Sequence, residues 1–334
     1  MKDGRDLKIG LVLVLLLASL PWWALTSTYA MGIGIMALVS VALALAWNII
    51  SGIGGQLSMG HGAYFGLGAY TSSLLLVRLG VTPWIGMLAG AVVAAAFGLI
   101  LGFPSFRLKG VYFKLVTFVS ALILEIICRS WSKFTGGDPG LQIPLLRDAP
   151  AMYQFRSPLP YFYIILVMVI VYFLLTRWVL HSRFGFYLQA LRDDQVAAEV
   201  LGVDSLFMKL AGFAVSAALT ALVGTFYAQY LLFIDPASAF GMFVSVKIAL
   251  AAIVGGAGTL WGPVIGGLFL VPLAEVGNAY FASTATGIDT VLYSVVLILV
   301  AIFLPRGLVS LPEFIHAKRR RSVARLKAPA QPAV

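Results

Sequence analysis

Repeated apolar runs, each close to the length that a bilayer demands, constrain this chain more than anything else in it. A hydrocarbon core about 30 Å thick needs roughly 20 apolar residues per helix. Such runs recur at 9–26, 32–50, 57–77, 84–103, 111–128, 161–180, 210–232, 243–256, 260–276 and 287–304. Backbone in lipid must satisfy its own N–H and C=O groups, so runs of this kind are helical. The residue balance agrees, with 61% hydrophobic residues against 11% charged and a mean hydropathy of +0.98. A soluble domain of 334 residues does not have that composition. The expected fold is an all-α polytopic membrane protein of about ten transmembrane helices. The eighth and ninth runs are short and separated by glycines, the pattern of half-spanning or broken helices where a pathway crosses the midplane.

Lys and Arg set the orientation. An even number of spans puts both termini on one side. Lys2, Arg5, Lys8, Arg107, Lys109, Lys114, Arg177, Arg183, Arg192, Lys209, Arg306, Lys318, Arg319, Arg320, Arg321, Arg325 and Lys327 fall there. By the positive-inside rule that side is the cytoplasm. Only Arg78, Lys247, Arg129, Lys133, Arg147 and Arg156 fall on the other. The expected organisation is a cytoplasmic N-terminus over 1–8, a membrane domain over 9–305 and a basic cytoplasmic tail over 306–334. Within the domain, 129–160 forms an outer loop and 181–209 a cytoplasmic one. A net charge of +10 would suggest nucleic acid in a soluble protein. Here the run Lys318-Arg319-Arg320-Arg321 anchors topology and touches anionic lipid, and no nucleic-acid partner is expected. The first run reads as an uncleaved anchor with Trp22-Trp23 at the interface; Thr28-Tyr29-Ala30 is a weak cleavage site.

Several chemistries are excluded. Cys128 is the single cysteine, and His61, His181 and His316 have no metal-ligand spacing. No glycine directly precedes a lysine, so the phosphate-cradling GxxxxGK loop is missing. The chain is therefore expected to bind no cofactor and to rely on a partner ATPase or an ion gradient for energy. No clustered catalytic set is visible, so it does not read as an enzyme.

The polar stretches carry the remaining information. The outer loop is rich in proline and holds the turn Thr135-Gly136-Gly137-Asp138-Pro139-Gly140, which is either turn chemistry alone or a docking surface for something outside. Two glycine-rich segments, from Gly54-Gly55 and from Gly255-Gly256, match at a constant offset of 201, also at Ser58 with Thr259 and at the trailing Gly66-Leu67 with Gly267-Leu268. Such a weak internal repeat points to a transport site, although glycines also serve simple helix packing. Lys114 and Glu125 lie within about 20° on one helix face and roughly 16 Å apart along it. Snorkelling toward the interfaces accounts for both, with a pathway role open for Glu125. Lys247 and Glu275 sit near expected outer ends, where snorkelling again applies. Between the sixth and seventh spans lies a polar, helix-prone island. Its residues Ala190, Leu191, Asp194, Ala197, Ala198 and Leu201 recur at helical spacing, and Gly202 can end the helix.

The motifs together resemble the permease subunits of high-affinity branched-chain amino acid importers of the ATP-binding-cassette class. The matching stretches are Leu45-Ala46-Trp47-Asn48, Gly55-Gln56-Leu57-Ser58-Met59-Gly60-His61-Gly62-Ala63-Tyr64-Phe65, Gly110-Val111-Tyr112-Phe113, Thr135-Gly136-Gly137, the island, and Gly255-Gly256-Ala257-Gly258-Thr259-Leu260-Trp261-Gly262-Pro263. They cover roughly 35–305, and the chain resembles the permease with the longer outer loop. The resemblance implies two related permease chains forming the pathway in the inner membrane, two cytoplasmic ATPases that use ATP, and a periplasmic binding protein. It also implies a coupling helix at Arg183, Gly185, Arg192, Asp193, Asp194, Ala197, Ala198, Glu199 and Gly202. The substrate pathway is expected near Gly55, Gln56, Ser58, Gly60, His61, Tyr64, Glu125, Gly255, Gly256 and Thr259. Binding-protein docking is expected at Thr135, Gly136, Gly137 and Asp138. Lys114 and Lys247 depart from the family pattern, where a small and an acidic residue are more usual. Relatives with similar glycine motifs import urea, short amides or aromatic acids. A secondary transporter would need midplane carboxylates, which are scarce here, and a passive channel would need no coupling helix.

Overall fold

The computed structural model describes residues 3–281 apart from 24, 26, 109 and 147, together with 291, 294, 295, 298, 299, 302 and 307–311. Helices α1 (Asp3–Trp23) and α2 (Thr28–Trp47) lead into a π-helical stretch, Asn48–Ile53, and then α3 (His61–Leu79), α4 (Pro83–Ser105), α5 (Val111–Ser130) and the short α6 (Ser132–Thr135). After the pair's first strand β1 (Leu141–Gln142) come α7 (Leu159–His181), α8 (Arg183–Asp193), α9 (Gln195–Val200) and α10 (Ser205–Leu231). The second strand β2 (Phe233–Ile234) precedes α11 (Pro236–Phe240), α12 (Met242–Gly255) and α13 (Gly262–Phe281). Among the described residues six helical stretches are long and apolar enough to cross a membrane, which makes this an all-α multi-pass membrane protein.

Helix α2 is the axis of the bundle. It carries no charge, and Ile35, Val41, Ala42, Ala44, Leu45 and Ala46 are fully excluded from solvent. A helix apolar on every side belongs at the centre, and α7, α10, α12 and α13 surround this one. At the flanks the apolar side chains point outward, as Leu88, Val92 and Ile100 do on α4. The opposite face of α4 is a buried stripe, Gly86, Gly90, Ala94, Gly98 and Gly102, at four-residue spacing. Lipid offers no hydrophobic drive between helices, so close backbone approach across small residues supplies the packing. The same device joins α3 to α10, where Gly68 abuts the Ala221 backbone and Gly224 abuts the Phe65 carbonyl. Thr225 Oγ1 donates to the Gly68 carbonyl at 2.9 Å across that seam.

Every expected span except the last has a helical counterpart among the described residues; the tenth, 287–304, falls outside them apart from isolated positions, as does the basic run 318–321. One expectation about the broken spans changes. The eighth, placed at 243–256, is the second part of an interrupted span, Pro236–Gly255. Asp235 caps α11 by accepting from Ser238 N at 3.1 Å, and Gly241 breaks the helix with φ −52° and ψ 148°. The ninth stays a short apolar stretch, Gly262–Glu275, within an α13 that continues to Phe281. The internal repeat has a structural counterpart: α3 and α13 begin at His61 and Gly262, the offset of 201 seen in the sequence (262 − 61).

The bundle has two distinct ends. At one, the π-helical end of α2, the end of α12 and α8 converge. At the other, Arg78 donates to the Phe134 carbonyl at 2.8 Å, and β1 pairs antiparallel with β2, Leu141 opposite Ile234. That pairing ties the long loop to the end of α10.

Candidate functional site

The first glycine segment turns back into the protein after the π-helix. A π turn is wider than an α turn and marks a local departure that packing must support. Asn48, the first residue of that turn, is wholly buried and supplies the support. Its Nδ2 donates to the Thr259 carbonyl at 3.0 Å, and its Oδ1 accepts from Gly258 N at 2.7 Å. One side chain thereby closes the first glycine segment onto the second. Thr259 Oγ1 donates to the Gly256 carbonyl at 2.7 Å and accepts from Gly262 N at 2.9 Å, capping the start of α13.

Arg192 of α8 completes this junction. Its Nη1 donates to the Gly52 carbonyl at 3.3 Å, and its alkyl stem lies over Gly55. Gly55 has φ +68°, and a Cβ there would collide with the Arg192 stem, so both backbone and space demand glycine. Gly256 has φ +127°. Gly255 packs against the Gly262 carbonyl. Five of the sequence-predicted positions, Gly55, Gly255, Gly256, Thr259 and Arg192, are thus brought to one junction.

Ser58, Gly60, His61 and Tyr64 lie deeper and are closed off. Trp47 Nε1 donates to the Ser58 carbonyl at 2.9 Å, and Ser58 N donates to Ser51 Oγ at 3.1 Å. His61 Nε2 lies 2.9 Å from Ser216 Oγ, which itself donates to the Ala46 carbonyl at 2.7 Å, so the imidazole is the donor in that pair. His61 Nδ1 faces Ser58 Oγ at 3.2 Å. Gly60 abuts the Thr117 carbonyl, Met59 N donates to Thr117 Oγ1 at 3.2 Å, and Gly62 N donates to Ser245 Oγ at 2.8 Å at the break before α12. Tyr64 is enclosed by the rings of Phe97 and Phe213. These side chains are buried and hold the segment in place. Gln56 differs: with Arg107, Lys114 and Lys209 it lines a polar cavity of ≈ 570 Å³ beside α9.

Glu125 pairs with Arg129 one helical turn on, at 2.8 Å, and Arg129 Nη1 reaches Asp138 Oδ1 at 3.3 Å. This links the end of α5 to the turn at 135–140. Within that turn Thr135 Oγ1 donates to the Trp131 carbonyl at 3.0 Å and accepts from Gly137 N at 3.3 Å. Gly136 and Gly137 both have positive φ.

The polar island is two helices rather than the single one its spacing suggested. Ser182 caps α8 by accepting from Gly185 N at 3.2 Å. Gly185 itself sits against the Val179 carbonyl, which lets α8 fold back on α7. Asp194, extended at φ −154°, ends α8 and caps α9 by accepting from Ala197 N at 3.1 Å. The break rotates α9, so Leu188, Leu191 and Ala198 are buried while Val196, Val200 and Leu201 are 69%, 83% and 84% exposed. Gly202 ends α9 at φ +86°, with Gly202 N donating to the Glu199 carbonyl at 2.9 Å. Arg183 at the start of α8 is exposed, as are Asp193, Ala197 and Glu199 around this tip. Lys209 Nζ donates to Gln195 Oε1 at 2.7 Å, and Gln195 Nε2 donates to Glu199 Oε1 at 2.8 Å, holding α9 on α10. Asn48, Ser216 and Lys209 are not among the expected site residues; a polar side chain in an otherwise apolar span is the signal that marks the first two.

Among the described residues no group of His, Cys, Asp and Glu is placed to hold a metal ion. No solved structure gives a significant match to the chain. The chain is 29% identical over 298 residues to the high-affinity branched-chain amino acid transport system permease protein LivM of Escherichia coli (strain K12), covering 82% of this chain and 70% of that one. LivM of Salmonella typhimurium is 28% identical over 302 residues with the same coverage. LivH of Salmonella typhimurium is 25% identical over 285 residues, covering 81% of this chain and 91% of that one. The family model described as branched-chain amino acid transport system, permease component, matches residues 29–302, from the first turn of α2 past the end of α13. The chain belongs to the branched-chain amino acid transport system permease family.

Proposed function

We propose that this chain is one of two permease subunits of an ATP-binding-cassette importer that moves leucine, isoleucine and valine from periplasm to cytoplasm across the inner membrane. Both termini and the α8–α9 end face the cytoplasm, where the Lys and Arg residues gather. The observation that carries the reading is the exposed apolar tip of α9, Val196, Val200 and Leu201, set among Asp193, Asp194 and Glu199. An apolar patch in water needs a partner, and charges around it set register on a groove in an ATPase subunit. Arg192 connects that tip to the glycine junction, so movement of α8 by a closing ATPase dimer biases the opening of the pathway. ATP is used by the partners, and this chain binds no cofactor. Thr135, Gly136, Gly137 and Asp138, in the outer loop at 129–160, meet the periplasmic binding protein. The glycine junction with Gln56, Ser58, Gly60, His61 and Tyr64 gates the path, and the basic segment 306–334 rests on anionic lipid.

Labelled leucine uptake, in cells lacking only this chain and in the same cells with it restored, tests the reading. Uptake lost, restored and competed by unlabelled isoleucine and valine supports it. Restored uptake competed instead by urea, amides or phenylalanine moves the substrate elsewhere within the same importer class.

A further inference from the structure

The polar cavity beside α9 has cationic walls. Arg107 comes from the turn between α4 and α5, Lys114 from the start of α5 and Lys209 from the start of α10, and the three meet with Gln56 and Gln195 around ≈ 570 Å³. That is within the size range of small-molecule sites. Among the described residues no carboxylate lines it. Lys209 is buried and already engaged: one of its three donors goes to Gln195 Oε1, and Gln195 Nε2 donates in turn to Glu199 behind it. The charge that the cavity offers a ligand therefore rests on Arg107 and Lys114. Neither residue has a part in the transport reading above.

Depth and surroundings say what anion fits. Lys114 lies three residues past the start of α5 and Lys209 four past the start of α10, about 5 and 6 Å along their axes. Helix α5 is 20 residues long, just enough to cross a core about 30 Å thick, so the cavity sits where headgroups give way to acyl chains. Apolar surface adjoins the cations there. The Arg107 guanidinium lies over the Phe103 ring, 5.0 Å from its centroid. Phe103 is 49% exposed, Leu108 on the cavity wall 42%, and Val111, one turn from Lys114, 63%. A soluble anion needs only the cations, whereas a lipid uses both surfaces, its phosphate on the basic groups and its chains along the apolar ones. A zwitterionic headgroup brings a cation of its own, which Arg107 and Lys114 repel. We propose that this cavity is a phosphate-ester site filled by the headgroup of an acidic phospholipid, with Arg107 and Lys114 on the phosphate and Lys209 beside them. Gln56 and Gln195 line the same space, so the bound lipid touches both the glycine segment and α9. The site does not depend on what the chain transports.

Native mass spectrometry of the full chain, purified in detergent with the subunits that accompany it, compares binding of phosphatidylglycerol and phosphatidylcholine, with inorganic phosphate as the soluble probe. A basic residue near an acidic headgroup contributes about five-fold. The wild type is therefore expected to prefer phosphatidylglycerol by about twenty-five-fold, Arg107→Gln and Lys114→Gln to lose about five-fold each, and the double variant to bind the two lipids alike. Arg107→Lys and Lys114→Arg should keep the preference. Lys133→Gln, which removes an exposed positive charge at the other end of the bundle, should keep it too. Size-exclusion profiles report folding of every variant, and the single variants carry the test if the double one does not fold. Equal affinity of the wild type for both lipids, an unchanged preference in the neutralised variants, or an equal loss in Lys133→Gln would each overturn the site. Phosphate binding that Arg107→Gln and Lys114→Gln weaken, without any lipid preference, would assign the cavity to a soluble phosphate and overturn the lipid as its source.

Discussion

Arg192 and Gly52 stand 140 residues apart in sequence and are joined by a hydrogen bond of 3.3 Å from the guanidinium to the backbone carbonyl. The bond runs from an exposed amphipathic helix to the π-helical end of the most buried helix in the bundle. It is a mechanical link between the exposed face of α8 and the glycine segment that turns back into the protein.

Cutting that link should uncouple rather than unfold. Arg192→Ala is expected to lower leucine uptake several-fold while binding-protein-stimulated ATP hydrolysis persists. Arg192→Lys should fall between, since lysine keeps the charge but not the planar fork. Gly55→Ala should reproduce the alanine phenotype, because its φ of +68° and the Arg192 stem both refuse a side chain. The check is the ratio of leucine transported to ATP hydrolysed in proteoliposomes; an unaltered ratio in all three would remove the junction from the coupling path.

Asn48 is the clasp between the two glycine segments. Asn48→Ala removes two hydrogen bonds worth about 1 kcal/mol each and leaves the Gly258 N–H without its acceptor, for a total loss of about 2–4 kcal/mol. The thermal midpoint of the purified complex should fall by several degrees, and a midpoint equal to wild type would show that the clasp contributes little.

Val200 and Leu201 touch little of their own chain. Replacing both by serine is expected to leave membrane insertion and the chain's thermal midpoint unchanged while recovery of the ATPase subunits on co-purification drops sharply. Full recovery would mean that the exposed tip is not where they dock.

Packing in the membrane-embedded part should be graded by how closely backbones approach. A Cβ at Gly68 would strike the Ala221 backbone, whereas one at Gly32 would meet only the Tyr230 hydroxyl at 3.7 Å, an ordinary contact. Gly68→Ala should therefore reduce folded protein in size-exclusion profiles, and Gly32→Ala should not. Equal yields would show that α3 and α10 can part at little cost.

Much of this was legible beforehand. Nine span positions followed from apolar length alone, and the offset that relates Gly54 to Gly255 also relates the starts of α3 and α13. The family membership was carried by motifs quoted from the chain itself. The island read as one helix because periodicity cannot register a single residue that leaves the helix, and Asp194 does so with φ −154°. The eighth run was counted from 243, while α11 supplies the earlier part of that span and Gly241 interrupts it.

Sequence alone determined that this is a multi-pass helical membrane protein, roughly where nine of its apolar spans fall and which family it joins; bilayer thickness and backbone hydrogen bonding leave an apolar run no other solution. Tertiary structure decided which polar residues meet. That Asn48 clasps Gly258, that Arg192 reaches Gly52 and that Lys247 shares a cavity with Glu275 are matters of how helices distant in sequence pack. Helix packing in lipid turns on close backbone approach at small residues, a property of pairs of surfaces that no single run of sequence contains.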